Sequence, residues 1–528
     1  SVTNDTTDAE ILQVVQNAIT NKKIQAAWSE TDGFKTTPAT DGIVPGQSGS
    51  ITGTIVLSNQ SDETERETIT VNLSIAAKYQ LTYESGRDDS HGGAPTSEHI
   101  PAGTVITLQD NPFTVYGMDF TGWSDGTTIY TSGASYTMPA GNVTLKAVWN
   151  QGQWDGNAVK EPEIVDGYYQ ISTGAELAYF QGSENHAMQK AKLMCDIDLG
   201  GHPFVPISNN LVELDGCGHT IRGLKTANNG IYTGLFQAIS STATIQNLTI
   251  ENAEIENTST DSDAQAGILV ANVDGDLTVK NCYVSGTITG TNAVRFAGGL
   301  IGHVHSAGSV KIESCYANPQ VKKLTDRGFA GGLIGYATGN AVIENSYAVV
   351  DMDVDHGTAI GGLVGHGNSG SVTISNSYAA GEALTKAYVT SSAAGISNNG
   401  SISNSVSIFP EMTSLNRIGV ASNASQNHFA NNYGFGGMVA KKADGTILTP
   451  SADEIGADKP YGEDASAEQL KDQTFYKSLG WNFEPVWTMD PTGGYAFPIL
   501  KEQTLHPTLN LDLTAAVRSI TLDKTSAT

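Results

Sequence analysis

Basic residues are scarce in this sequence. Lysine and arginine total 28 against 55 aspartate and glutamate residues, which gives a formal net charge of −27 over 528 residues. A protein that binds nucleic acid needs basic side chains to neutralise phosphates, and attraction to an anionic membrane surface has the same requirement. The composition therefore argues against nucleic acid and against a lipid surface as partners.

Long apolar runs and cysteines are also scarce. No stretch of 18 apolar residues occurs, so we expect no membrane insertion. The 4 cysteines show no CxxC spacing and are too few for a disulfide scaffold. The chain opens with SVTNDTTDAE, without Met or a signal peptide, and stops at SITLDKTSAT, which is typical of a segment of a larger exported polypeptide.

The motifs of nucleotide and zinc enzymes are missing. A phosphate loop requires Gly-Lys-Ser or Gly-Lys-Thr, and neither occurs. None of the 11 histidines is followed by Glu, so there is no HExxH metallopeptidase motif. Neither kind of catalytic site is therefore expected.

What is abundant is glycine, at 58 residues, among alternating polar and apolar positions typical of short strands joined by turns.

Residues 1–77 begin with a capping-box spacing at Thr7 and Glu10 before a helical stripe of apolar residues. Two alternating segments follow, the second with Ile69, Val71 and Ile75 on one face. The pattern predicts one helix on a small antiparallel sheet, and it resembles the small α+β, immunoglobulin-like modules of bacterial surface proteins.

Residues 78–150 have a different, aromatic-rich pattern. A domain of this size buries little surface, so a few large side chains must form its core. The stretch DFTGWSDGTTIYTSGASYTMPAGNVTLKAVW resembles the Listeria–Bacteroides repeat, which implies a β-grasp-like fold. The matching positions are Phe120, Trp123, Tyr136, Met138, Val143, Leu145 and Trp149.

The largest region contains an internal repeat with two markers. The first is a Gly-apolar-apolar step beginning at residues 234, 267, 299, 332, 362, 395 and 419, at intervals of 33, 32, 33, 30, 33 and 24. The second is a family of segments such as KNCYV, ESCYA, ENSYA and SNSYA. Two markers in step over this many copies indicate a solenoid. The copies alternate like strands and are too short for propeller blades, so we predict a right-handed parallel β-helix of about seven coils, stacked about 4.8 Å apart.

The quoted segment GGLIG…IENSYA resembles the GLUG repeat of bacterial surface adhesins and of regions of some immunoglobulin-cleaving peptidases. The resemblance covers roughly residues 160–500. We therefore expect a mainly β, multidomain chain in which 151–500 is the GLUG β-helix with capping ends. Aromatics that follow a capping box at Ser466 and Gln469 are expected to plug its last open coil. Residues 501–528 are expected to be a linker and the truncated start of a bacterial Ig-like domain.

Glycines and asparagines at fixed places in each repeat are given structural roles. Gly299, Gly332 and Gly362 are expected at a corner that needs close backbone approach and positive φ. Asparagines are expected to bend the chain before the second marker and to form a ladder of stacked amides. These asparagines are Asn247, Asn281, Asn345, Asn376 and Asn404.

A row of tyrosines is the strongest candidate for a binding site. Alignment of the second marker places Tyr283, Tyr316, Tyr347 and Tyr378 at one position of successive coils, phased outward. An exposed aromatic ladder would contact sugar rings or a partner's apolar groups. The alternative is a ladder that stabilises the sheet and lies under another segment.

Two further groups have weaker functional interpretations. Asp351, Asp353 and Asp355 alternate with apolar residues, which predicts an acidic strand that faces solvent. The alternative is weak binding of calcium at this surface. No other cofactor is expected. His303 and His366 lie two coils apart, too far to share a metal, and are interpreted as solvated polar residues.

The cysteines divide into two pairs. Cys282 and Cys315 align with Leu248 and are expected to be buried free thiols. For Cys195 and Cys217, near the start of the solenoid, a disulfide is an alternative.

These features predict a non-catalytic adhesin or stalk fragment, extracellular and on a bacterial cell surface. It would bind a carbohydrate or a surface protein through the β-helix, as a monomer. The alternatives are a polysaccharide lyase or hydrolase on the same fold, because a fold does not decide function, and the non-catalytic region of a larger surface peptidase.

Overall fold

The computed structural model describes residues 2–3, 5–20, 23–39, 41–42, 48–88, 90–182, 188–208, 211–228, 230–290, 294–322, 324–352, 354, 358–368, 371–384, 392–413, 416–419, 428–442, 444–509, 511 and 513. The fold is mainly β, with 49% strand and 6% helix. The chain forms two compact units, Ser1–Gln151 and Gly152–Thr528.

The first part of the N-terminal unit is a helix with a small antiparallel sheet. The helix Asp8–Ala18 begins at Thr7, whose hydroxyl accepts from the Glu10 backbone while the Glu10 carboxylate accepts from the Thr7 backbone, as the capping-box spacing predicts. The sheet comprises Ile24–Trp28, Lys35–Thr37, Gly49–Asn59 and Asp62–Ile75. Val71 and Ile75 are buried as expected, whereas Ile69, in the middle of its strand opposite Ile55, is exposed.

The rest of this unit is a six-stranded sheet with a two-stranded ribbon. The sheet comprises Ile129–Tyr130, Met118–Ser124, Val143–Gln151, Lys78–Glu84, Asp41–Gly42 and Glu98–Pro101, and the ribbon comprises Val105–Thr107 and Ser135–Thr137. Val143–Gln151 runs parallel to Lys78–Glu84. Trp123 is fully buried and packs edge-on against Tyr83 and Phe120, with ring centroids 4.8 and 5.1 Å apart, so aromatics form the core of this part.

The second unit is a parallel β-solenoid of about seven turns. Each full coil contributes a strand to four sheets, here called A to D in the order in which the chain meets them. Sheet A contains Glu163–Val165, Tyr168–Ile171, Lys190–Leu193, Glu213–Asp215, Ala243–Gln246, Asp276–Lys280, Ser309–Glu313, Asn340–Glu344, Val372–Ser375, Ser401–Ser403 and Phe429–Ala430. Sheet B contains Ile197–Asp198, Thr220–Arg222, Lys225–Asn228, Thr249–Asn257, Tyr283–Gly290, Tyr316–Val321, Tyr347–Val349, Asp351–Met352, Tyr378–Ala380, Val406–Ile408, Tyr433–Phe435 and Glu463–Ala465.

Sheets C and D follow on either side of the Gly-Gly-Leu step. Sheet C contains Tyr232–Thr233, Gln265–Gly267, Val294–Gly298, Leu324–Gly331, Ala359–Gly361 and Ser392–Ala394. Sheet D contains Phe236–Ile239, Val270–Val273, Ile301–Val304, Ile334–Ala337 and Val364–Gly367. The strands of each coil pair in register with the next, so residues at one repeat position form a row along the solenoid.

Short elements flank the coils. They are the helix Gly174–Ala178, the strands Glu411–Met412, Val439–Lys441 and Ile447–Leu448, the helices Ala467–Leu470 and Gln473–Ser478, and the strands Trp487–Met489 and Pro498–Leu500. The helix Gly174–Ala178 starts at Thr173, whose side chain accepts from the Glu176 backbone.

Close approach, without positive φ, explains the repeated glycines. A Cβ added to Gly332 would lie against the Gly362 carbonyl oxygen and 2.5 Å from the Ala348 Cβ. Gly299 and Gly362 meet the next coil in the same way. None of the three glycines has φ in the left-handed region, so that part of the prediction is wrong. The crowding comes from the neighbouring coil at each corner.

Positive φ is found instead at the asparagine bends. Asn281, Asn345 and Asn376 each have a φ of 49°, a left-handed conformation that asparagine tolerates better than most residues. The Asn281 amide donates to the Asn247 side chain at 3.0 Å, and that of Asn404 donates to Asn376 at 3.2 Å. The amide ladder is therefore present in these two stretches.

The chain after the last coils folds back along sheet B. We call residues 466–509 the C-terminal cover. Leu505 and Leu509 pack against the solenoid core, and Leu511 and Leu513 beyond them are buried in it. The segment after Leu500 thus lies on the solenoid, where the sequence predicted a linker.

Candidate functional site

The predicted tyrosine ladder exists. Tyr283, Tyr316, Tyr347 and Tyr378 pair in register along sheet B. Ring centroids of Tyr316 and Tyr347 lie 4.5 Å apart, and those of Tyr347 and Tyr378 lie 4.6 Å apart, in stacked orientation. One side chain per coil at one repeat position produces this spacing.

Of the two interpretations of the ladder, the structure supports the one in which another segment lies over it, and this segment is the C-terminal cover. All four tyrosines are buried, Tyr347 and Tyr378 completely. Burial raises the pKa of both hydroxyls well above the ordinary range. Trp487 lies 6.0 Å from Tyr347 between ring centroids, and the Tyr378 hydroxyl donates to the Pro498 carbonyl at 2.7 Å.

The cover also corrects the position expected for the C-terminal aromatics. They were predicted to plug the last coil. Trp481 and Trp487 instead stack on each other, 4.5 Å apart, against the lateral face of the solenoid. The tyrosine ladder is therefore an internal packing layer and not an open surface.

A second aromatic group lies outside the coil core, and sequence reasoning missed it as a group. We call it the outer aromatic stack; its members are Phe296, His303, Phe329, Tyr336 and His366. Phe296 and His303 are buried and the other three are half-buried, although none of the five belongs to the solenoid's hydrophobic core. Hydrophobic burial inside the coil therefore does not account for these rings.

Rows from two sheets meet in this stack. His303, Tyr336 and His366 are in register along sheet D, and Phe296 and Phe329 along sheet C. The rings of His303 and Tyr336 are stacked and nearly parallel, with an interplanar angle of 6° and centroids 5.2 Å apart, and the Phe329 ring lies 4.7 Å from Tyr336 across the corner. The alignment of the GLI and GLV steps, which placed His303, Tyr336 and His366 in register, was the available signal.

The histidines of the stack are not solvated, contrary to the sequence interpretation. Burial lowers the pKa of His303 to about 4, with further contributions from His305 and Arg295. Burial also lowers the pKa of His366. Both rings are therefore neutral at pH 7. Arg295 lies over the Phe296 ring, 4.9 Å from its centroid, and pairs with Asp263.

The other candidates are only partly placed by the structure. Asp351 is exposed and Met352 and Val354 are buried, as the alternation predicts, whereas Asp353 and Asp355 lie outside the described residues. Weak calcium binding there stays a prediction. Among the described residues, no three His, Cys, Asp or Glu side chains are grouped to hold a metal.

The cysteines are free thiols in this structure. Cys282 and Cys315 are fully buried, as predicted from their alignment with Leu248. Cys195 is half-buried and Cys217 exposed, and they form no disulfide with each other. Helices long and apolar enough to cross a membrane are absent from the described part of the chain.

Comparison with known proteins identifies one motif and several partial likenesses. Residues 330–354 match the family described as the GLUG motif. The chain is similar to halomucin of Haloquadratum walsbyi, with 30% identity over 151 residues, which is 25% of this chain and 2% of halomucin. The chain thus spans a very small part of this relative's length.

Two solved structures resemble the fold. A candidate immunoglobulin A1 protease from Bacteroides ovatus is 20% identical, with a TM-score of 0.43 over 65% of this chain and 96% of that one. A structure named IgA1 protease is 16% identical, with a TM-score of 0.43 over 80% of this chain and 30% of that one.

Proposed function

We propose that this chain is a non-catalytic adhesive segment of a bacterial cell-surface protein, and that the outer aromatic stack is its contact face. The observation that carries the proposal is the position of Phe329, Tyr336 and His366. These rings form part of a continuous stack outside the hydrophobic core and remain partly exposed.

Contiguous aromatic surface outside a core is characteristic of interaction sites, because large rigid rings bind partners at low cost in conformational entropy. The GLUG motif and the similarity to halomucin support an extracellular location. The net charge of −27 fits a surface segment that avoids nucleic acid and anionic lipid. We expect it to act as a monomer that presents one long face.

The test is adhesion of the full chain to defined surfaces. The surfaces are arrayed linear hexaoses of glucose, N-acetylglucosamine and mannose, together with fibronectin and gelatin. The test variant is Phe329→Ala with Tyr336→Ala, and the matched control is Tyr116→Ala, which removes an exposed ring from the N-terminal unit. Circular dichroism and the melting temperature establish that each variant is folded.

We expect wild type and the Tyr116 variant to bind at least one surface and the double variant to bind roughly tenfold more weakly. Equal binding by all three, or no binding to any surface, contradicts the proposal. The same surfaces are assayed for release of oligosaccharide or peptide. Cleavage of an oligosaccharide or of a protein on these surfaces would contradict the non-catalytic adhesive function and favour the lyase, hydrolase or peptidase alternative.

A further inference from the structure

A cavity of about 470 Å³ lies where the C-terminal cover crosses the early coils of the solenoid. Cys217, Glu502 and Thr504 line it and are exposed to solvent, whereas Tyr283 lines it and is buried. The cavity is therefore open at its rim and extends inward to the first tyrosine of the row.

The amide ladder ends at this cavity on an acid. The Asn281 amide donates to the Asn247 side chain at 3.0 Å, and the Asn247 amide donates to Oδ1 of Asp215 at 3.0 Å. Asp215 also accepts from the Cys217 backbone at 2.8 Å and from the Gln246 amide at 3.2 Å. These bonds hold the Asp215 carboxylate in place in the wall of the cavity.

The other end of this stretch of ladder stops at a residue that cannot continue it. The position after Asn281 is Ser314, which has a left-handed φ of 53° but no side-chain amide. Oδ1 of Asn281 therefore receives no amide donor from the next coil, and no other described residue donates to it. Because Asn281 lines the cavity, a ligand there has an unused amide oxygen to bind.

Tyr283 is a buried residue whose hydroxyl is also unused. Its side chain is 4% exposed and lines the cavity, yet its hydroxyl has no hydrogen bond to any described residue. The hydroxyls of Tyr347 and Tyr378, farther along the row, bond to the cover instead. Burial raises the pKa of the Tyr283 hydroxyl, so it is neutral and has oxygen lone pairs to offer. A buried polar group without a partner is costly, and a ligand in the cavity removes that cost.

The charges in the cavity wall have one sign. The carboxylates of Asp215 and Glu502 line the cavity, and no base is among its described lining residues. Glu502 has no ion pair or hydrogen bond with any described residue. Two lysines on the adjoining part of sheet A are engaged elsewhere, since Lys280 pairs with Glu313 at 3.2 Å and Lys192 lies over an aromatic ring, 4.5 Å from its centroid.

We propose that this cavity binds a primary ammonium group. An ammonium has three N–H donors and no acceptor, which matches two carboxylates, the Asn281 oxygen and the Tyr283 hydroxyl. Both carboxylates repel an anion, and a neutral hydroxyl gains nothing from their charge. The ammonium belongs to a free amine or to a lysine side chain of a partner protein. The site is separate from the outer aromatic stack and does not depend on the adhesive function proposed above.

Cys217 is a native reporter of this cavity, because its thiol is exposed and lines it. The full chain is treated with a trimethylammonium or a sulfonate methanethiosulfonate reagent, which share one reactive group and differ in charge. The rate at Cys217 is read by mass spectrometry and divided by the rate at N-acetylcysteinamide. The test variant is Glu502→Gln, and the matched control is Glu484→Gln, which removes an exposed carboxylate of the cover that does not line the cavity.

We expect the cationic reagent to react roughly tenfold faster than the anionic one after this correction, and Glu502→Gln to lower the ratio about threefold. Glu484→Gln should leave the ratio unchanged. A ratio equal to that of the free thiol overturns the inference. So does an equal fall in both variants, because the net charge of −27 and not the cavity would then set the ratio.

Occupancy of the cavity is tested by protection of Cys217 from the uncharged methyl methanethiosulfonate. The probes are butylammonium, butanol as its neutral counterpart, and N-acetyl-lysine methylamide, which carries the ammonium as a protein does. Circular dichroism establishes that each variant is folded.

We expect at least one ammonium probe to slow labelling roughly threefold and butanol to have no effect. Glu502→Gln and Tyr283→Phe should each weaken the protection. The stronger of the two ammonium probes identifies the source, a free amine or a protein lysine. Equal protection by butanol, protection by neither ammonium probe, or protection that survives both substitutions overturns the inference.

Discussion

The hydroxyl of Tyr347 donates to Oε1 of Gln503 at 2.9 Å, across 156 positions of the chain. This bond joins a residue of the repeat to the segment that covers it, and Tyr347 is fully buried. The same Gln503 oxygen also accepts from the Leu500 backbone at 2.9 Å. The tyrosine row and the C-terminal cover are therefore one packed layer.

Tyr347→Phe is expected to lower the free energy of unfolding by about 1 kcal/mol, because one buried hydrogen bond is lost while Gln503 keeps its second donor. Tyr347→Ala should cost about 4 kcal/mol through the cavity it leaves. Urea unfolding followed by tryptophan fluorescence measures both changes. Tyr116→Phe, at an exposed ring, is the control and should change nothing. An unaltered midpoint for Tyr347→Ala would show that the cover does not pack as described.

Gly332→Ala is expected to destabilise the solenoid by about 2 to 3 kcal/mol, as overpacking of a filled site does. The new Cβ would lie 2.5 Å from the Ala348 Cβ and against the next coil's backbone. Gly494→Ala is a suitable comparison, because its nearest atoms are two side-chain oxygens at 3.3 Å. Thermal melting should separate the two variants clearly. Equal melting temperatures would rule out the close approach as the reason for this glycine.

The repeat period and its inward and outward alternation were sufficient to predict the parallel solenoid. Cys282 was correctly placed in the core because Leu248 occupies the same repeat position. Alternation shows that Tyr347 faces away from the coil interior, but it contains no information on a segment more than 100 residues later that covers it. For that reason the sequence predicted the ladder but left open whether it is exposed or covered by another segment.

The outer aromatic stack was missed for a related reason. His303 and Tyr336 are one repeat apart and align, but Phe296 lies on sheet C and contacts them across the Gly298–Gly299 corner between the two sheets. A period in the sequence gives neighbours along a row. It does not give the angle between two sheets, which depends on how the corner packs in three dimensions.

Unfolding stability should depend on pH through His303. Burial holds the pKa of His303 at about 4 in the folded chain, against about 6.5 when unfolded. The unfolded chain therefore takes up a proton first, so the free energy of unfolding falls as the pH drops from 6.5 towards 4. Chemical denaturation at pH 7.0 and 4.5 should show this loss in wild type and less of it in His303→Phe. Identical losses in the two proteins would exclude His303 as the cause.

Arg417 is a buried cation whose removal should be costly. It is 1% exposed, and its guanidinium donates to the carbonyls of Phe435 at 2.7 Å, Tyr461 at 2.8 Å and Gly462 at 3.1 Å. Arg417→Met leaves these acceptors without donors and should cost about 3 to 5 kcal/mol.

Arg417→Lys should recover only a small part of that loss, because an ammonium cannot reproduce the planar fork of donors. Urea unfolding of the two variants beside wild type measures the difference. Full recovery by lysine would show that charge alone, and not the guanidinium geometry, is required at this site.

Thiol titration should separate the four cysteines. In the folded chain, the exposed Cys217 should react with an aromatic disulfide reagent within minutes, and the fully buried Cys282 and Cys315 should react only after unfolding. All 4 thiols should titrate in denaturant without reductant. A total of two would show that Cys195 and Cys217 are joined by a disulfide, contrary to the free thiols in the structure.

The C-terminal cover also changes how the solenoid should respond to force and to partial unfolding. In a stack of coils that touch only their neighbours, the end coils fray independently. Here Thr504 contacts Thr249 at 2.7 Å between hydroxyls, and Trp481 donates to the Asn404 carbonyl at 2.7 Å. The C-terminal cover thus links coils that are far apart in sequence. A force applied to one end of the solenoid would therefore have to break contacts along the cover as well as separate neighbouring coils.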